Sequence, residues 1–201
     1  MKPILFNTEM AQAILDNRKT STRRIIKYSD GHVPSFYGRD KFYKLVNGLN
    51  NKKGLWAGFY KDSDVFMYEG KIMTDALYWK APYQVGDILY VRETWNKYTK
   101  RVGEGGNCHL EEFYGYKANP KCSEVFDQKW HPSIQMPKEA ARIFLKVTDV
   151  RVERVQDITE DGARAEGFSD KFMFMAIWDA IYNNALGNPW VWVIEFERVE
   201  K

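Results

Sequence analysis

The stretch NRKTSTRRIIK, Asn17 to Lys27, carries five basic residues and three hydroxyls but no acid. The chain around it is nearly balanced, with 30 Lys and Arg against 27 Asp and Glu in 201 residues, a formal net charge of +3. Charge concentrated locally in a balanced chain marks a site, not a general affinity for polyanions. The second half of the stretch, with its β-branched residues and imperfect alternation, reads as a strand beginning near Thr22. The preceding NTEMAQAILDN reads as a helix in which Thr8 is the cap, Met10, Ala13 and Ile14 form an apolar stripe, and Asp16-Asn17 is the exit. Lys19 and Thr22 then occupy a helix-to-strand turn, a place from which side chains commonly point into a cleft. The ordinary reading of such a pair is a solvated lysine and a strand-starting threonine.

Hydrophobic residues make up 44% and aromatics 15%, enough for one compact domain over 1–201. Residues 29 to about 80 depart in composition, with frequent Gly, Lys, Asn, Tyr and Phe, and read as an insertion of short strands and loops. Its most strand-like part is DVFMYEGKIMTDALYW. The start MKPILFNTEM lacks a signal-peptide core, and no run approaches the roughly 18 apolar residues of a membrane span. A soluble, cytoplasmic protein is expected. Cys108 and Cys122 are expected to be buried thiols. Together with His109 and His131 they lack the tight Cys-x2-4-Cys knuckle of a structural zinc site, so no metal is expected there. Walker, dinucleotide-binding and His-Glu-x-x-His patterns are missing, which excludes the common phosphate-loop, dinucleotide and zincin classes.

Further along, ILYVRETW, residues 88 to 95, has apolar residues on both faces and reads as a central strand carrying the unusual pair Arg92-Glu93. A possible strand EEFYGYKA follows the glycine-rich RVGEGGN. ARIFLKVTDVRVERV, 141 to 155, reads as a long strand. DITEDGARAEGF reads as a short helix with Asp157 or Thr159 as cap and Gly167 as stop. In DKFMFMAIWDAIYNN, the positions Phe174, Ile177, Trp178 and Ile181 share one helical face, and PWVWVIEFERV closes the chain as a strand. The pieces make an α+β chain, a small mixed β-barrel flanked by helices.

Three of these pieces resemble the ASCH family, a branch of the PUA-like barrels. NRKTSTRR supplies Lys19, Thr22 and Arg24 of the family's Gly-x-Lys-x-x-Thr-x-Arg signature, with Asn17 in place of the glycine. YQVGDILYVRETW is similar to the family's Gly-Asp strand entry, and VTDVRVERVQDITEDGARAEGF to its strand, helix start and Ala-x-x-Glu-Gly end. The resemblance covers 1 to 27 and 82 to 199 and is closest to the larger phage and prophage-borne members, sometimes labelled morphogenetic. Glycine at position 17 would serve a positive φ, and Asn is the next most tolerant residue.

Some small members are amidohydrolases acting on acetylated cytidine, N(4)-acetylcytidine, without metal or cofactor. The resemblance carries their catalytic lysine, threonine and glutamate onto Lys19, Thr22 and Glu166. Thr22 would be the nucleophile or position a water. Lys19 would activate Thr22 if desolvated beside Arg23 or Arg24, or polarise the carbonyl if charged, and Glu166 would shuttle protons. Outside the resemblance, Glu166 is an ordinary surface residue at a helix end. Arg23, Arg24, Arg92, Glu93 and Trp95 are candidates for contact with substrate or nucleic acid, Trp95 by stacking. For Arg92 and Glu93 a structural ion pair is the competing reading, and for Trp95 a core or rim position. The alternative function is a noncatalytic module for RNA, single-stranded nucleic acid or a modified base, with Arg18, Arg23, Arg24 and Lys27 on phosphates.

Overall fold

A computed structural model describes residues 1–27, 39–44, 55–60, 67–68, 71–72, 77–104, 107–119 and 129–200. In chain order the elements are β1 (Lys2–Leu5), α1 (Thr8–Leu15), β2 (Ser21–Ile25), β3 (Arg39–Lys44), β4 (Leu55–Tyr60), β5 (Met67–Tyr68), β6 (Lys71–Ile72), β7 (Leu77–Lys80) and β8 (Ile88–Arg92). They continue with β9 (Trp95–Val102), β10 (His109–Tyr116), β11 (Phe144–Arg154), α2 (Glu160–Ala165), α3 (Lys171–Tyr182) and β12 (Trp190–Val199). The architecture is α+β and mostly sheet. No helix among the described residues is long and apolar enough to cross a membrane.

A five-stranded sheet in the order β1-β8-β11-β12-β2 positions everything that follows. β1 runs parallel to β8, and the other neighbours are antiparallel. β12 explains why the chain ends in WVWVI. Its Val191 and Val193 pack with Val155, Ile158, Ala163, Phe174 and Trp178 on the side of α2 and α3. Its Trp192, Ile194 and Phe196 pack with Ile4, Leu89, Leu145 and Ile14 on the side of α1. A strand covered on both faces is apolar at successive positions rather than at alternate ones. β8 lies between β1 and β11, central as its two apolar faces imply.

The sheet does not close, so no complete barrel forms among the described residues. The reason is chemical. Two carbonyls of β1 are already taken by side chains: Arg24 Nη2 donates to Leu5 O at 2.8 Å, and Tyr83 Oη donates to Pro3 O at 2.7 Å. β2 and β1 are thus tied by a guanidinium where a barrel would have a main-chain ladder. A groove of about 420 Å³ lies between them.

Several local expectations change. Asn7, not Thr8, caps α1, its side chain accepting from the Met10 amide at 2.8 Å. The strand expected over 88 to 95 breaks after Arg92 because Glu93 turns its amide to Met136 Sδ at 3.2 Å and buries its carboxylate. In α3 the buried residues are Phe174 and Trp178, continued by Tyr182 through ring contacts of 5.8 and 4.4 Å. Ile177 and Ile181, expected on that face, are 38% and 60% exposed. Cys108, expected buried, is exposed and free, and Cys122 lies outside the described residues. Of the insertion, β3, β4 and β7 form one antiparallel sheet and β5 and β6 a two-stranded one, while most of 29 to 80 lies outside the described residues.

Candidate functional site

The basic stretch begins where α1 ends. Asn17 takes a left-handed φ of +57°, the positive φ for which glycine or Asn is suited, and the next two amides fold back onto Ala13 O at 2.8 and 3.1 Å. The chain then runs extended past the end of α2. Lys19 forms a lone bridge with Glu166, and the Thr20 amide donates to Ala165 O at 2.8 Å before β2 begins.

α2 brings Glu166 to this point by local rules. Thr159 caps it, the hydroxyl accepting from the Gly162 amide at 3.0 Å, and Glu160 and Asp161 sit in its first turn. Gly167 ends it at φ +92°. A Cβ at Gly167 would come within 3.2 Å of Ala13 Cβ and 3.4 Å of Lys19 Cβ, so the residue serves both the turn and the close approach of α1.

Lys19 is therefore not a solvated turn lysine. Its side chain has no exposed surface, and Nζ donates to Glu166 Oε2 at 2.6 Å and to Glu166 O at 2.8 Å, with the Phe6 ring 5.5 Å away. Glu166, an ordinary surface position by sequence alone, is 3% exposed. Burial pulls the Lys19 ammonium below the usual lysine range; Glu166 opposes this by charge and hydrogen bond, and Arg24 and Arg23 reinforce it.

Arg23, two alternations along from Lys19, reaches the same carboxylate. Its Nη1 lies 3.5 Å from Glu166 Oε1, and its Nη2 donates to Glu153 Oε2 at 3.1 Å. Charges continue outward in alternating sign, since Arg151 meets Glu153 at 2.5 Å, Asp149 at 2.8 Å and Glu195 at 2.5 Å. Four buried polar atoms at the inner end have no hydrogen-bond partner: Ser21 Oγ, Arg23 Nε and Nη1, and Glu166 Oε1. Two of them, Arg23 Nη1 and Glu166 Oε1, face each other at 3.5 Å as an ion pair longer than a hydrogen bond, and buried polar atoms left so are costly.

Thr22 and Glu166 line one small cavity of about 50 Å³ with Met10, Phe168, Phe174 and Ile177. Glu166, Met10, Phe168 and Ile177 also border a larger one of about 500 Å³, where Arg18 and Lys117 add positive charge and Gln12 and Asn7 add amides. The exposed side of α3 is thus the apolar wall of a pocket. Lys19, Thr22, Arg23 and Glu166 come together.

Arg24 also lines the small cavity, whereas Arg92, Glu93 and Trp95 stand apart from it. Arg24 ties β2 to β1 and lies 5.5 Å from the Phe6 ring. Arg92 donates through Nη2 to Ile134 O. Glu93 forms a two-pronged pair with Arg142, at 2.9 and 3.0 Å, and Arg142 lies over the Tyr116 ring at 4.1 Å. That matches the structural reading of Glu93, whose partner is Arg142, just ahead of β11. Trp95 packs against His131 and Tyr114 at 5.1 and 5.9 Å, beside Met136 and Phe144. Cys108 Sγ points to Gly103 O and His109 Nδ1 to Asn107 O, and among the described residues no group of three or more His, Cys, Asp or Glu is placed to hold a metal.

Sequence reasoning missed Glu153 and Ser21. The spacing of Lys19, Ser21 and Arg23 by two is the signal for Ser21, since alternate residues of an extended chain share a side. Comparison with protein-family models, with curated proteins and with solved structures gave no match.

Proposed function

We propose that the pocket at Lys19, Thr22 and Glu166 hydrolyses the amide of an acylated nucleoside, of which N(4)-acetylcytidine is the representative, in a small α+β domain of PUA-like type. One observation carries this reading: a fully buried lysine paired at 2.6 Å with a buried glutamate that lines a cavity. A buried pair of this kind gains little stability for its desolvation, so its chemistry is the better account of it.

Amide hydrolysis needs a hydroxyl or water to attack the carbonyl, a base to take its proton, and donors for the oxyanion. Thr22 supplies the hydroxyl or orients the water. Burial makes Lys19 readier to exist as the free amine, and its Nζ stands at 2.6 Å from Glu166 Oε2. Lys19 accepts the proton of the attacking hydroxyl, and Glu166 delivers it to the leaving amine; where Thr22 is the nucleophile, a water then cleaves the acyl-threonine ester and releases the acid. Arg23, which lines the small cavity with Thr22, supplies donors for the charge that develops on the acyl oxygen. Met10, Phe168 and Ile177 provide the apolar wall for the base.

The test is release of cytidine from N(4)-acetylcytidine by the purified protein, followed by chromatography. Turnover by the wild type and a loss of about 10²- to 10⁴-fold in Lys19→Ala are expected for removal of a proton-transfer group. No release by the wild type from a panel of N-acylated cytidine, adenosine and guanosine overturns the proposal.

A further inference from the structure

Helix α3, KFMFMAIWDAIY, is apolar around more of its circumference than the fold uses. Phe174 and Trp178 are buried against Val191 and Val193 of β12. The opposite arc consists of Phe172, Met173, Ala176, Ile177, Ala180 and Ile181, and all six are exposed, Phe172 at 82% and Met173 at 46%. Asp179, at the rim of that arc, is its one charged residue, and it holds no Lys or Arg. A surface helix carries charge on the side turned to water, whereas a helix apolar all round is a buried one.

Met173, Ile177 and Ile181 stand in one row at i, i+4 and i+8, with Ala176 and Ala180 in a second row beside it. Bulky residues next to small ones let another helix come close and seat its own bulky side chains over the alanines. The face is complementary to itself. In an antiparallel pair about a twofold axis, residue i meets residue j and j meets i. Centred between Ala176 and Ile177, that operation sets Met173 opposite Ala180 of the partner subunit and Ile177 opposite Ala176 of the partner subunit, with Phe172 and Ile181 flanking them. Large meets small in both central layers, and Asp179 stays at the edge, in water. Without a cation, the face offers nothing to an acidic surface or a lipid headgroup.

The six side chains expose on the order of 500 Å² of apolar surface, the size of patch that marks an interaction site on a monomer. Two copies together bury on the order of 1,000 Å², the lower bound of a specific interface and the range of a reversible one. We propose that the protein associates with a second copy of itself through α3, as an antiparallel twofold dimer centred on Met173, Ala176, Ile177 and Ala180. Ile177 lines both cavities and Ile181 the smaller one, so the interface adjoins the pocket and the second helix shields that wall from water. The dimer does not rest on the amidohydrolase reading, since association is read without substrate.

The experiment is analytical ultracentrifugation of the full chain from about 1 to 200 μM, beside the single variants Met173→Glu and Ala180→Lys and their equimolar mixture. The wild type is expected to be half dimeric at concentrations on the order of tens of micromolar, as suits an interface of this size. Each variant alone is expected to stay monomeric with unchanged circular dichroism, because both positions are exposed and Glu and Lys are good helix formers. In the mixture the introduced carboxylate faces the introduced ammonium, and the second central pair is still Met173 with Ala180. Dimer should therefore return, about 10-fold tighter than either variant with itself. A monomeric wild type throughout the range, variants that dimerise as the wild type does, or a mixture that stays monomeric overturns the proposal. If the wild type is monomeric and Met173 also resists oxidation by peroxide, a segment of the same chain is the cover instead.

Discussion

The Lys19 side chain has no exposed surface, and among the described residues its counter-charge comes from a residue 147 positions away. Removing one member of such a pair leaves the other uncompensated, so Glu166→Gln is expected to destabilise the fold by about 3–5 kcal/mol in urea titrations. Replacing both, Lys19→Met with Glu166→Leu, should recover most of that loss while abolishing turnover. If the double variant is no more stable than the single one, the pair is a structural element. The pH dependence has a definite sign. Because burial lowers the Lys19 pKa in the folded state, the unfolded chain binds the extra proton at alkaline pH. Relative to Lys19→Met, the wild type should gain stability as pH rises above the folded pKa and stop gaining near about 10.4, the unfolded value. A flat difference between the two proteins across that window would contradict the assignment. The lysine itself was legible in the sequence, as was the left-handed Asn17 before it. Its burial was not, because the neighbours that bury it belong to α2 and to Phe6.

Elements governed by nearest-neighbour rules match the sequence closely, and those governed by distant partners do not. Thr159 and Gly167 bound α2 as expected because capping and left-handed termination are decided within a few residues. β8 ends before its apolar pattern does because Glu93 is claimed by Arg142, 49 positions on. The face of α3 is turned because aromatic contacts among Phe174, Trp178 and Tyr182 outweigh those that Ile177 and Ile181 would make. Since Glu166 stands at the C-terminal end of α2, the caps of that helix fix where its carboxylate lies. Thr159→Ala should cost about 1 kcal/mol through loss of the cap. Gly167→Ala should cost at least about 1–2 kcal/mol, because an L-residue is strained at that φ and the added methyl presses on Ala13 and Lys19. Denaturant midpoints measure both, and for Gly167→Ala the Lys19 amide resonance should move as well. A Gly167→Ala protein of wild-type stability would show that the approach of α1 to α2 is loose.

At the scale of the molecule, the α+β class followed from pattern, but the openness of the sheet did not, since it turns on one arginine and one tyrosine meeting carbonyls of β1. Arg24→Gln should loosen that tie, costing about 1 kcal/mol and speeding hydrogen exchange in β1 and β2 while β11 and β12 keep their protection. Uniform protection in all five strands would mean that the tie is incidental. The groove has another property. Lys27 and Lys80, which flank the segment of altered composition, border the same opening. Departure and return points that adjoin one mouth are the geometry of a cassette: the segment can be exchanged without asking the sheet to span a new distance. A chain with 28–79 replaced by a flexible linker should retain the five-stranded sheet and the Lys19–Glu166 pair, and loss of hydrogen-exchange protection in β11 and β12 of that chain would show that the segment is needed for the sheet.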